Sequence, residues 1–191
     1  MDSRILIPVI IVVAAFIVIA VVLIMRRRKS EHLKQQFGPE YDRAVIQHGD
    51  AGHAEAVLID REKRVEKFSL RPLTPSDRER YAEEWGAVQR RFVDDPSNAV
   101  DQADTLVNTV LAVRGYPVGE AEQRTADISV NYPSLVQNYR SARVVMLRHS
   151  QGQTSTEDLR LAMVNFRSLF DELLETAKPQ RAGDSHERLA S

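Results

Sequence analysis

Residues 5–25 form an apolar run that carries no charged side chain, and it is followed at once by four cations, Arg26, Arg27, Arg28 and Lys29. A helix rises about 1.5 Å per residue, so roughly 20 apolar residues are enough to cross the hydrocarbon core of a bilayer. The run therefore predicts a single transmembrane helix over residues 5–25. The lipid bilayer is then the first expected partner of the chain.

A cleaved signal peptide is the competing interpretation of this run. The apolar region of such a peptide is usually about 7–15 residues long and ends in a small-x-small cleavage site. The run at 5–25 is longer, and the cations that follow Met25 act as a stop-transfer signal. An uncleaved anchor is therefore favoured.

The distribution of positive charge predicts how the anchor is oriented. Residues 1–4 carry one Arg that is offset by Asp2, whereas residues 26–29 carry four cations. Because Lys and Arg near a span favour the cytoplasmic side, the chain after the anchor is expected to be cytoplasmic. Attraction of the four cations to anionic headgroups is a second interpretation, but membrane topology suffices to explain them.

The composition of the anchor bears on its partners in the membrane. Close pairing of helices in lipid favours small residues spaced four apart. Ala14, Ala15 and Ala20 do not have that spacing. A simple tether is therefore favoured over a dimerising helix.

Charge and cysteine content exclude several classes of function. With residues 1–29 set aside, 21 of the 26 Lys and Arg residues and 26 of the 27 Asp and Glu residues remain, a net charge of −5. A surface of that sign repels phosphate backbones, so no nucleic acid is expected as a partner. The chain has no cysteine, which excludes disulfides, thiolate chemistry and Cys-based metal sites.

Beyond the anchor, apolar residues recur at helical spacing, and no segment shows the sustained period-two alternation of strands. Gly38 and Pro39 predict a break in the first helical stretch. Thr74 and Asp95 each precede a proline, as a residue that caps a helix start often does. Gly115 predicts a helix end. These signals indicate short helices joined by short loops.

Two further patterns concern the core and the last helix. Trp85 lies in an apolar stripe with Tyr81 and Val88, and a Trp in such a stripe is expected in the core rather than at a ligand platform. Thr154 and Glu157 stand at the spacing of a capping box. They predict the start of the last helix.

We therefore predict an all-α protein with an N-terminal single transmembrane helix followed by an irregular bundle of about five or six helices. The predicted organisation is a short tail at 1–4, the transmembrane helix at 5–25, a basic juxtamembrane and connecting helix at 26–52, the helical domain at 53–177 and a disordered polar tail at 178–191.

A search for catalytic or metal-binding patterns finds none. The five histidines are scattered, and no His-Glu-x-x-His helix, glycine-rich phosphate loop or G-x-S-x-G elbow is present. The acid pairs Glu83-Glu84 and Asp94-Asp95 fit a solvated helix face and a helix junction better than a shared catalytic proton. No catalytic residue, metal ligand or cofactor is predicted.

Two tyrosine-proline steps are the candidate binding residues. Tyr116-Pro117 and Tyr132-Pro133 each place a phenol beside a rigid turn, a composition that is favoured in protein interfaces. The alternative is that both tyrosines fold back onto neighbouring helix ends, and this alternative is favoured because Tyr is intermediate in burial.

Several motifs resemble an uncharacterised group of short bacterial proteins that are often single-span or exported. The motifs are Arg71-Pro72-Leu73, Tyr81-Ala82-Glu83-Glu84-Trp85, Arg91-Phe92-Val93-Asp94-Asp95-Pro96, Gly115-Tyr116-Pro117-Val118 and Ser155-Thr156-Glu157-Asp158-Leu159. The resemblance covers roughly residues 71–174. It implies a bacterial source and a helical domain, and it carries over no activity or binding residue. Together with the predicted anchor and its cations, the expected location is the bacterial inner membrane, with the folded domain on the cytoplasmic side.

Three functions follow as hypotheses. The first is a non-enzymatic scaffold or regulatory module that is tethered to the membrane and binds an unidentified protein partner. The second is an enzyme that acts on a membrane-proximal substrate through carboxylates in a pocket. The third, a nucleic-acid regulator, needs a basic face despite the net charge. Its candidate residues are Arg61, Lys63, Arg64, Lys67 and Arg71.

Overall fold

The computed structural model describes the backbone of residues 3–175 and the side chains of residues 13, 14 and 16–175. These residues form eight helices and no strand. The helices are α1 (Ser3–Phe37), α2 (Pro39–His48), α3 (Ala51–Val65), α4 (Pro75–Asp94), α5 (Pro96–Val113), α6 (Ala121–Asn131), α7 (Val136–Ser150) and α8 (Thr156–Glu175). The predicted all-α class is confirmed, and α3 to α8 are the six helices expected of the domain.

The predicted membrane helix and the predicted tails fall wholly or partly outside the described residues. Over the part of the chain that is described, no helix combines the length and the apolarity that a membrane crossing needs. The predicted span at 5–25 includes residues 5–12 and 15, whose side chains are not described, and the predicted tail at 178–191 lies outside entirely. Of the predicted tail at 1–4, only the backbone of the last two residues is described.

The helix starts follow the capping signals of the sequence with one exception. The side chains of Thr74 and Asp95 accept hydrogen bonds from the backbone N–H of the third residue that follows, as predicted. At α8 the predicted pair is wrong, because Ser155 and Asp158 form the reciprocal bonds. The Thr154 hydroxyl instead bonds Nδ1 of His149, 3.1 Å away.

Two glycines allow the sharp turns at helix ends. Gly38 has a φ of +48° between α1 and α2, so the predicted break is confirmed. Gly115 has a φ of +97° and lies two residues after Val113, the end of α5. It turns the chain back so closely that an added Cβ would lie 2.6 Å from the backbone oxygen of Ser69.

The larger of two apolar clusters lies among α4, α5, α7 and α8. Trp85 is 4% exposed there, and its ring stacks on Phe170 with the ring centroids 4.5 Å apart. Burial of Trp85 was predicted and is confirmed. Tyr139 and Phe166 contact each other edge to face in the same cluster. These contacts join the second half of the chain into one body.

The smaller cluster joins the end of α1 to α2, α3 and α6. Its buried members are Leu33, Phe37, Tyr41, Ala44, Ala54, Leu58, Val65 and Val130. It crosses the predicted boundary between residues 52 and 53, so the segment after residue 32 is part of the folded body. The sequence pattern could not predict this boundary, because the residues that pack against Leu33 and Phe37 include residues of α3 and α6, which lie further along the chain.

Candidate functional site

The two tyrosines that were singled out in the sequence are buried. Tyr116 is 2% exposed and Tyr132 is 3% exposed, and the Tyr116 hydroxyl accepts a 2.8 Å hydrogen bond from the Asn131 side chain. Burial raises the pKa of the Tyr116 phenol. The alternative interpretation, in which both rings fold back, is the one observed. The two rings therefore form no exposed contact surface, while Pro117 is exposed and Pro133 is half-buried. A binding role for these four residues stays a prediction.

A cleft between α2, α3, α6 and α7 is a stronger candidate. It encloses about 370 Å³, within the usual size of ligand pockets. Four arginines from three helices line it: Arg43, Arg61, Arg140 and Arg143. The other lining residues are Gln47, Ala121, Glu122, Thr125, Ala126, Val144 and Leu147. We call this feature the arginine cleft.

Glu40, at the start of α2, organises two of these arginines. Its carboxylate is 4% exposed and accepts hydrogen bonds from Arg140 at 3.0 and 3.2 Å. Arg43 Nε lies 3.8 Å from the same carboxylate, and the Gln137 side-chain oxygen accepts from both arginines. The Arg140 guanidinium is therefore held in a fixed orientation, since an Arg fork and a carboxylate match in geometry, whereas the half-exposed Arg43 makes only longer contacts with the same groups.

Arg143 is fixed in a similar way by α5. Its Nη1 lies 2.6 Å from Oδ2 of Asp104, and both side chains are partly buried. The Nε of Arg143 is buried and makes no hydrogen bond. Below the cleft, Arg64 and the buried Asp127 form a further pair with Nη2 and Oδ1 2.6 Å apart. Most positive charge near the cleft is thus matched within the fold.

Arg61 differs from its neighbours. Among the described residues it forms no ion pair within 4.0 Å, and its one hydrogen bond, to Oγ of Ser129, is long at 3.5 Å. Burial lowers the pKa of Arg61 despite the nearby Glu40 carboxylate. Since a guanidinium stays charged, this shift records a cost of burying it that the Glu40 and Asp127 carboxylates offset only in part.

The charges at the cleft leave a small positive excess. Four arginines line it, and three carboxylates face them, namely Glu122 in the lining and Glu40 and Asp104 behind it. The excess is one positive charge, which Arg61 supplies. Guanidinium groups that are already held in place bind carboxylates and phosphates well. The arrangement is therefore suited to bind an anionic group.

Apolar side chains flank the arginines. Val144 and Leu147 of α7 line the cleft and are 54% and 62% exposed. Ile46, on the same face of α2 as Arg43 and Gln47, is 84% exposed. Exposed apolar groups beside a charged cleft are typical of a surface that meets another molecule.

The other predicted groups do not form a site. Arg26, Arg27, Arg28 and Lys29 are exposed on α1, and their predicted role in topology stays a prediction. In the described part of the chain, no three His, Asp or Glu side chains are grouped to hold a metal ion. Arg61 and Arg64 face α6, so the five residues of the proposed basic face do not form one free surface.

Sequence reasoning missed the arginine cleft because its residues are far apart in the chain. Arg43 and Arg140 are separated by almost 100 positions, and each sits in an ordinary mixed-charge helix. Comparisons with protein-family models, curated proteins and solved structures found no match to this chain. The resemblance to a bacterial group stays a prediction.

Proposed function

We propose that this protein is a membrane-anchored, non-enzymatic interaction module whose arginine cleft binds an anionic group of a partner protein. The observation that carries the proposal is the convergence of four arginines from α2, α3 and α7 on one cleft. Arg is favoured at the energetic centres of protein interfaces. The exposed Val144 and Leu147 supply the apolar contact that such a centre needs.

Two features support the anchor. Side chains 16–25 of α1 include a row of large apolar groups between 44% and 69% exposed, which is unfavourable in water. The same helix continues without a break to the buried Leu33 and Phe37. Leu33 lies eight positions after Met25, so the folded body would stand about 12 Å from the end of the span.

Tethering explains how a modest cleft suffices for function. A partner that is also held at the membrane meets the cleft at a raised effective concentration, without any added contact. The four cations at 26–29 support a cytoplasmic position for the folded body at a bacterial inner membrane.

The enzyme hypothesis gains no comparable support. Acid–base catalysis through carboxylates needs two ionisable groups in defined roles at one pocket. Glu122 is the one carboxylate in the lining of the arginine cleft, and it is exposed. No observation on the described residues favours this second function.

Site-specific photocrosslinking tests the proposal. A photoreactive amino acid replaces Glu122 in the full-length protein in its native membrane, and a matched sample carries it at the exposed Arg167 of α8. We expect one protein product from position 122, none from position 167, and loss of the product when Arg61→Glu is added. The same products with and without Arg61→Glu would contradict the role of the cleft.

The anchor is tested separately by extraction of membranes with alkaline carbonate. The full-length protein should remain with the membrane, and a version without residues 1–29 should be released. Release of the full-length protein would contradict the anchor and leave the cleft untouched.

A further inference from the structure

We infer that the group bound in the arginine cleft is a single carboxylate next to an apolar side chain, an acidic residue flanked by apolar ones in the partner protein. The inference rests on the proposed function and specifies its ligand. It depends on the charge balance of the cleft and on the position of its apolar wall.

Charge balance favours a monoanion. Glu40 pairs with Arg140 and Arg43, and Asp104 pairs with Arg143. With Glu122 of the lining counted as the third carboxylate, these three arginines are balanced in charge, and the excess of one is the charge of Arg61. One carboxylate cancels this excess. A phosphate carries close to two negative charges at pH 7. A bound phosphate would therefore keep one uncompensated negative charge, which the carboxylates of Glu40 and Asp104 would repel in a partly desolvated site.

The donors also fit a carboxylate. Arg61 has a guanidinium with no internal ion pair, so it is free to make the two parallel hydrogen bonds of an Arg–carboxylate pair.

The exposed apolar side chains of the cleft, Val144 and Leu147, favour a ligand with an apolar group next to its carboxylate. Val144 and Leu147 line the cleft opposite α2, where Ile46 is exposed beside Gln47. A ligand that places an apolar side chain next to its carboxylate buries this surface, and each buried methylene adds about 0.8 kcal/mol. An acidic residue with polar neighbours gains only the charged contact.

Fluorescence anisotropy with labelled heptapeptides tests the inference, with the full-length protein in nanodiscs of zwitterionic lipid. The peptides carry a central Glu, Gln or phosphoserine between leucines, and a fourth carries Glu between serines. We expect the Glu–leucine peptide to bind at least ten-fold more tightly than each of the others. We also expect unlabelled hexanoate to compete only weakly with the Glu–leucine peptide, because the inferred ligand is a residue within a protein chain.

Two variants provide the matched control. Arg61→Met, with its fold verified by circular dichroism, should weaken binding of the Glu–leucine peptide at least ten-fold. Arg167→Met, which removes an exposed arginine of α8, should leave it unchanged. Tighter binding of the phosphoserine peptide would overturn the carboxylate assignment, while an anion-binding cleft would stand.

Two other results would also overturn the inference. Equal affinity of the Glu and Gln peptides would show that charge does not determine binding. Hexanoate that competes as well as the peptide would identify a free carboxylic acid as the ligand. If no peptide responds to Arg61→Met, the carboxylate assignment is wrong, and the crosslinking from position 122 then decides the proposed function independently.

Discussion

Arg140 donates hydrogen bonds to both carboxylate oxygens of Glu40, which lies 100 residues earlier in the chain. The pair joins α7 to the start of α2 at the floor of the arginine cleft, with Glu40 4% and Arg140 20% exposed. Removal of one partner from a buried pair leaves an uncompensated charge, which costs far more than loss of a surface pair. The pair therefore fixes both the fold and the site.

Glu40→Gln should lower the free energy of unfolding by about 3 kcal/mol, the lower end of the range for a buried pair. Urea unfolding of the full-length protein in nanodiscs, followed by fluorescence of the single tryptophan, measures the change. Asp171→Asn is the control, because the Arg167–Asp171 pair is about half exposed on both sides. It should cost less than about 0.5 kcal/mol, and equal losses would show that Glu40 is not a buried anchor.

The stacked pair of Trp85 and Phe170 gives a second prediction. Trp85→Ala should lower the free energy of unfolding by about 3–5 kcal/mol, because a large buried aromatic is removed from the contact of α4 with α8. Circular dichroism during urea unfolding measures it. Val93→Ala on the same helix is the control, since Val93 is 82% exposed and its loss should be close to zero. A small loss at Trp85 would mean that the stack adds little to the core.

The starts of α4 and α5 were predictable because their signals are local. Thr74 and Asp95 bond to backbone groups three residues away, so the capping residue and its target lie in one short stretch. Burial of Trp85 followed from helical periodicity alone. At α8 two overlapping Ser/Thr and acid pairs satisfied the same pattern, and spacing could not distinguish Ser155 from Thr154.

The arginine cleft and the smaller cluster were not predictable in this way. Glu40 and Arg140 contact each other only after α2, α3, α6 and α7 have packed. The net charge of −5 could not predict the cleft either, since a sum over the whole domain does not report a local positive excess. The tyrosines were ambiguous for the same reason, because burial depends on neighbours distant in sequence.

Substitution of Gly115 by Ala should destabilise the fold in two ways, through the left-handed backbone conformation and through a steric clash of the added Cβ. Gly115→Ala should destabilise the fold by more than Gly49→Ala, although both glycines have positive φ. A residue with a Cβ pays roughly 1–2 kcal/mol for the left-handed conformation at either position. At Gly115 the Cβ would in addition collide with backbone atoms of Ser69, whereas at Gly49 nothing lies within 4 Å. Urea unfolding of the two variants measures the difference, and equal losses would contradict the steric contact.

Arg61 gives the prediction that separates a binding residue from a structural one. Arg61→Met should leave the free energy of unfolding unchanged or raise it by about 0.5 kcal/mol, because it removes a partly buried charge and leaves no carboxylate without a partner. Arg143→Met is the matched control, since it removes the ion-pair partner of Asp104, which keeps the hydrogen bond from Asn108, and should cost about 1–3 kcal/mol. Urea unfolding of both variants measures the contrast. A large loss of folding free energy in Arg61→Met would mean that Arg61 stabilises the fold. An unchanged free energy of unfolding together with lost peptide binding would identify Arg61 as a binding residue.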